Sequence, residues 1–243
     1  MKLGGWAFLA GAVLVAAAPP AWAMRVQPMQ LEMTPIGRYS AASVSVVNNG
    51  AQQLPVEAYV SQRTIGPDGA EVLTPADDRF LVFPPQAAIP PGATQVFRVQ
   101  WLGEPDLARS EAYYVTLKQI PVALDANESG VQIAYAFAVA THVTPEGAVP
   151  ALAVRAATPT KDGLRLTVAN DGDAYTYLSR ALIHARGADG SRADFDGEDV
   201  RKVMESPLLL PGSTREVVLP LPKPMKGPVR VDLELRSLDE ILN

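Results

Sequence analysis

The sequence contains no cysteine. Thiol catalysis, cysteine zinc sites and disulfide staples are excluded, so packed cores must hold the fold. Histidine is nearly absent too, with only His142 and His184. Neither sits in a metal-ligand or triad-like motif, and no GxSxG or HExxH pattern occurs. Both read as structural or surface groups, with no catalytic residue and no metal site. Phosphate-cradling glycine loops are missing, so no cofactor is implied. Basic charge is in deficit: 21 Lys and Arg against 26 Asp and Glu leave a formal net charge of −5. Such a chain is poorly suited to nucleic acid or an anionic membrane. Helical periodicity is scarce, and beyond the N-terminus no apolar run is long enough to cross a bilayer.

What is present begins with MKLGGWAFLAGAVLVAAAPPAWA. Lys2 leads into an apolar run from Leu3 to Ala18, and the stretch closes on Ala21-Trp22-Ala23. This is the pattern of a secretory signal peptide, residues 1–23, with cleavage expected after Ala23. Pro19-Pro20 argues against a membrane span. The processed chain should start at Met24, lose the charge of Lys2 and be exported without membrane insertion.

The remainder is a series of short alternating runs. The clearest are Ala42–Asn48, Pro55–Gln62, Phe80–Pro84, Thr94–Trp101 and Ala112–Ile120. Asn48-Asn49-Gly50, Gly66-Pro67-Asp68-Gly69 and Ile89-Pro90-Pro91-Gly92 punctuate them as turns. The segment VTPEGAVP, Val143–Pro150, breaks strand pairing. A second series follows: Leu152–Thr158, Gly163–Asn170, Tyr177–Ala185, Arg215–Leu221 and Val229–Ser237. The pattern predicts an all-β chain of two tandem β-sandwiches, residues 24–145 and 146–243. Each would be large enough to fold around its own core.

One segment stands apart: VQIAYAFAVAT, residues 131–141. Val131, Ile133, Tyr135, Phe137 and Val139 share one face of a strand, and Ala134, Ala136, Ala138 and Ala140 share the other. Val131–Ala140 holds no charge and no proline. Alternation alone fits an ordinary core strand. At a sheet edge, however, such a strand would be an aggregation hazard unless something covered it.

The order of motifs resembles the periplasmic pilus-assembly chaperones of the chaperone–usher type, the PapD-like proteins. The resemblance is carried by Phe80-Leu81-Val82-Phe83-Pro84, Ile89-Pro90-Pro91-Gly92, Gln95–Val99, Tyr113-Tyr114 to Ile120-Pro121, and Val131 through Pro145. Upstream, Gly37 and Val44–Asn48 fit the first hairpin. Leu164–Asn170 and Leu208–Ser213 are similar to the second-domain pattern. The resemblance implies two immunoglobulin-like domains and a periplasmic chaperone that binds incomplete pilus or fimbrial subunits. Such a chaperone lends its last first-domain strand to the client, a form of β-augmentation, and passes the client to an outer-membrane usher. By position the donor residues are Val131, Ile133 and Tyr135, with Phe137 and Val139 extending the set. Full burial of each in a client groove would be worth about 1.5–3 kcal/mol. A hidden donor strand in the free protein also admits a self-capped homodimer.

Three positions depart from the family pattern. The family anchors the client's C-terminal carboxylate with an Arg on the first strand and a Lys on the donor strand; here those places hold Glu32 and Ala140. Other cations must serve, with Lys118 and Arg38 the main candidates and Arg98 a third, or the client is held without an anchor. The family also joins an Arg, an acid and a second-domain Asp at the domain interface. Arg98, Glu111 and Asp239 are the corresponding residues, with Glu111 one residue out of step, which turns a side chain to the other face. These departures suggest a divergent branch.

The alternative in a different class is an exported adhesin or structural subunit that caps its own strand and needs no client. The acidic run Asp189, Asp194, Asp196, Glu198 and Asp199 does not match calcium-loop spacing and reads as a solvated loop. Asn127-Glu128-Ser129 spells a glycosylation sequon and reads as a turn.

Overall fold

Two series of strands each close on a separate core in the computed structural model, which describes residues 24–121 and 134–236. The first series is β1 (Met24–Gln27), β2 (Gln30–Met33), β3 (Ala41–Asn48), β4 (Leu54–Ile65), β5 (Glu71–Pro75), β6 (Phe80–Phe83), β7 (Gln86–Ile89), β8 (Thr94–Trp101), β9 (Glu111–Gln119) and β10 (Ala136–Val143). They form a four-stranded sheet, β1-β3-β8-β6, against a six-stranded sheet, β2-β10-β9-β4-β5, with β7 on β4. Period-2 patterning selects the faces. In β8, Phe97, Val99 and Trp101 are buried, while Val96 and Arg98 point outward. Phe80, Trp101 and Tyr113 meet edge-to-face at the centre, with centroids 4.9–5.7 Å apart, the arrangement aromatic rings favour.

The second series is β11 (Leu152–Thr160), β12 (Gly163–Asn170), β13 (Thr176–Tyr177), β14 (Ala181–Gly187), β15 (Arg192–Phe195), helix α1 (Gly197–Val203), β16 (Leu208–Leu209), β17 (Thr214–Leu219) and β18 (Val229–Leu235). The sheets are β11-β12-β17 and β15-β14-β18, with β13-β16 as a separate two-stranded pair. Leu164, Leu166 and Val168 alternate inward from β12 to meet Ile183 and Phe195. The all-β, two-sandwich expectation agrees with this architecture.

Both sandwiches use the same polar clamp. Asn48 ends β3 and Asn170 ends β12, and both are buried. Asn48 Nδ2 donates to the carbonyls of Gln52 (2.7 Å) and Ile89 (2.9 Å), and its Oδ1 accepts from Gly50 N–H. Asn170 repeats this with Ala174 (2.8 Å), Leu209 (3.3 Å) and Gly172. Their backbone carbonyls accept from Gly92 and Gly212, both at φ +71° in Pro-Gly turns. Only glycine adopts that conformation at no steric cost. Each Asn thus satisfies backbone groups that a turn would otherwise leave orphaned inside the core.

Two local expectations change. Tyr177–Ala185 is not one strand, because a 3₁₀ turn at Leu178–Arg180 separates β13 from β14. The acidic run is not a plain loop. Asp196 caps α1, accepting from the Glu198 and Asp199 N–H groups, and Asp199 returns a contact to the Asp196 N–H. This capping box satisfies donors at the helix start. Asp194 meets His184, and Glu198 and Asp199 meet Lys202.

Candidate functional site

β10 changes character along its length. From Ala140 to Val143 it lies between β9 and the parallel strand β2. From Ala136 to Val139 it keeps β9 on one side, and among the described residues no strand pairs with the other. The backbone groups of this stretch can be assigned. The Ala140 N–H donates to Met29 on the β2 side (3.0 Å), whereas the Tyr135 carbonyl accepts from Gln119 on the β9 side. Strand alternation therefore aims the N–H and C=O of Ala136 and Ala138 away from β9, into the open edge. Their methyl groups lie on the exposed outer face.

The opposite face points inward. Val139 is fully buried in the first sandwich's own core, and Tyr135 and Phe137 are half-buried against it. This corrects the extended donor set: Val139 has no surface to give a client, because Val115 and the four-stranded sheet already enclose that side of β10. Val131 and Ile133 lie outside the described residues.

Where β10 and β2 run side by side, the outer face ends in a cluster shared by both sandwiches. His142 is opposite Glu32 in the ladder. Its ring is buried and stacks on Tyr175 of the second sandwich, with centroids 3.8 Å apart and planes 13° from parallel. Tyr175 donates its hydroxyl to Glu32 Oε1 (2.5 Å), and Gln30 Nε2 donates to the same oxygen (2.6 Å). His142 Nδ1 lies 3.4 Å away, within ion-pair reach but not aligned as a hydrogen bond. Burial pushes the Glu32 carboxyl up, but contacts from His142, Tyr175 and Gln30 outweigh it and hold it below the usual carboxylate range. Burial, then the hydrogen bond to Glu32 and its charge, drive the Tyr175 phenol well above its ordinary value.

Further contacts tie the sandwiches. Ser110 N–H donates to the Asp173 carbonyl, and the Tyr175 N–H donates to Ser110 Oγ (2.5 Å). Arg63 is buried, pairs with Glu71, donates to Ser206 (2.9 Å) and sits over the Tyr114 ring at 4.7 Å. Ile65, Ala112 and Leu208 form a small apolar cluster with Tyr175 and Tyr177.

This cluster is not the expected one. Arg98 lies on the exposed outer face of the four-stranded sheet, opposite Ser43 and Phe83. Glu111 accepts the Tyr113 hydroxyl instead of pairing with Arg98, and Asp239 lies outside the described residues. The Arg98–Glu111 pairing is therefore corrected: β8 alternation turns Arg98 away from Phe97 and Val99 and out of the core. Among the described residues neither carboxylate-anchor candidate pairs with this cluster. Lys118 lies seven residues along β9 from Glu111, about 23 Å at strand rise, and pairs with Glu57 (3.5 Å). Arg38 donates to the Tyr39 hydroxyl (2.6 Å) and covers its ring. Sequence reasoning missed Tyr175, Arg63 and the role of His142. The Tyr175-Thr176-Tyr177 alternation after Asn170 was the only local signal.

The depressed Glu32 carboxyl sets a pH dependence. Its stabilisation is present above pH 4.5, the ordinary carboxylate value, and is lost as pH falls through the lower folded-state value. The unfolding midpoint of Glu32→Gln should lie below wild type near neutrality, and the gap should close in acid. A gap constant with pH would show that the Glu32 charge has no part in joining the sandwiches.

A family model described as pili and flagellar-assembly chaperone, PapD N-terminal domain, matches residues 26–148. No curated protein sequence matches the chain. Among solved structures, the class 5 fimbriae chaperone CfaA is similar at 12% identity and TM-score 0.59, over 88% of this chain and 100% of that one. A chain of a chaperone–tip adhesin complex in CFA/I fimbriae biogenesis is similar at 11% and 0.58, over 88% and 99%. A chain of the Salmonella enterica SafA pilin–SafB chaperone complex is similar at 15% and 0.53, over 84% and 86%. At such identities these likenesses concern the fold.

Proposed function

This chain belongs to the pilus and flagellar-assembly chaperones with a PapD N-terminal domain, and from that premise we propose that it completes incomplete pilus or fimbrial subunits by donor-strand addition in the periplasm. The client's edge strand would pair with the open side of β10 at Ala136 and Ala138. Val131, Ile133 and Tyr135 would fill its groove, with Phe137 at the margin. Backbone pairing gives affinity, and alternate apolar side chains give fit. The observation that carries this reading is the backbone edge of Ala136–Val139, unpaired among the described residues and free of charge and proline. The chaperone then passes its subunit to an outer-membrane usher, and exchange of the subunit into the fibre drives release. Similar folds occur in chaperones solved with a pilin or a tip adhesin, which supports a subunit as client.

Glu32 and Ala140 replace the cations that would hold a client's terminal carboxylate. Strand addition therefore supplies the affinity without that anchor. The test is co-purification from a periplasm expressing the chain with the pilin encoded beside it. Wild type should bring down stoichiometric pilin, and Ile133→Asp should bring down none while keeping its unfolding midpoint. Pilin recovered equally by both proteins would defeat the donor assignment.

A further inference from the structure

The outer face of β15-β14-β18 carries its charges in rows. Arg192, Arg186 and Arg230 lie directly opposite one another on the three adjacent strands, and all three are exposed. Two residues along, Asp194, His184 and Asp232 form the next row. Like charges directly opposite in a sheet are destabilising. Neighbouring strands are roughly 4.8 Å apart, inside the screening length of about 8 Å at physiological salt. Among the described residues none of the three arginines has an ion-pair partner. Asp194 is engaged by His184 at 2.7 Å. The row thus costs the free protein stability while presenting three guanidinium forks without a counter-anion among the described residues.

We propose that this arginine row docks an acidic peptide segment of a protein partner, at a site separate from the β10 edge. Guanidinium forks suit carboxylates because they can bind them bidentately. Three strands span two spacings, about 10 Å. An extended peptide places alternate side chains about 6.6 Å apart on one face, so two carboxylates of one segment fit along the row. A flat anionic membrane does not fit, because it would press equally on Asp194, Asp232 and Glu234, which share this face. The ligand is therefore narrow and runs across the strands.

The test is binding of a fluorescent oligo-glutamate peptide to the full chain at low salt, with anionic lipid vesicles in parallel. Wild type should bind the peptide and lose it as salt rises, and should leave the vesicles free. Arg186→Glu should bind about tenfold more weakly. It should also unfold at a higher temperature, because two repulsive cross-strand pairs become attractive. Arg186→Ala, which adds no new charge, should weaken binding in the same direction. Ile133→Asp should bind the peptide as wild type does, which separates this site from the donor strand. Equal peptide binding by wild type and Arg186→Glu, or capture by vesicles in place of the peptide, would overturn the proposal.

Discussion

Ala138→Pro should abolish most client capture while leaving the chaperone folded. The N–H of Ala138 points into the open edge of β10, so replacing it removes no bond among the described residues. Proline is tolerated at edge positions whose N–H faces outward, and Phe137 before it already lies in an extended strand. An added strand would meet a missing donor and a ring where its backbone must approach. Leaving one client carbonyl unpaired on burial costs about 1–3 kcal/mol, which corresponds to roughly 5- to 150-fold in affinity. The measurement is pilin binding by titration, with calorimetric unfolding of the free variant beside it. Undiminished binding would show that the client does not pair along Ala136–Val139. Phe137→Pro is the contrasting control: its N–H faces β9, so that variant should lose stability as well.

Val139→Asp should produce no folded first sandwich. Val139 is fully buried in a cluster of apolar side chains. A carboxylate there has no partner, and a group forced to stay neutral still leaves polar atoms unsatisfied. A buried unpaired charge belongs to the mechanisms that cost about 4–5 kcal/mol or more, and a loss of that size removes the whole margin of a domain at the low end of the roughly 5–15 kcal/mol range. Trp101 is a built-in reporter, being 4% exposed and edge-on to Phe80 and Tyr113. Its fluorescence should shift to that of a solvated indole in Val139→Asp and stay native in Ile133→Asp. A native Trp101 signal in Val139→Asp would mean that this side of β10 is open, and would restore Val139 to the donor set.

The two substitutions separate what alternation says from what it leaves open. VQIAYAFAVAT announces a strand with one bulky face. It does not say where along that strand the bulky face stops serving a partner and starts serving the protein's own core. Among the described residues Val139 is fully buried in that core, whereas Tyr135 and Phe137 are only half-buried against it. Alternation was also a better guide to Arg98 than the family pattern was. Phe97, Val99 and Trp101 are the apolar set of β8, and their parity places Arg98 outward. The acidic run held a readable helix start as well: Asp196 and Asp199 stand three apart, the spacing of a capping box.

Local sequence determined the all-β class, the two series of strands, the Asn and Pro-Gly turn punctuation and the absence of charge from Ala136 to Ala140 of β10. Each of these follows from a period of two residues or from turn chemistry, and needs only a few neighbours to be seen. Tertiary structure alone decided which stretch of β10 has no second neighbour among the described residues, and that Glu32, His142 and Tyr175 meet. Glu32 and Tyr175 are 143 residues apart in the chain. A parallel pairing of β2 with β10 and the docking of two sandwiches bring them together, and neither leaves a periodic trace in the residues it joins.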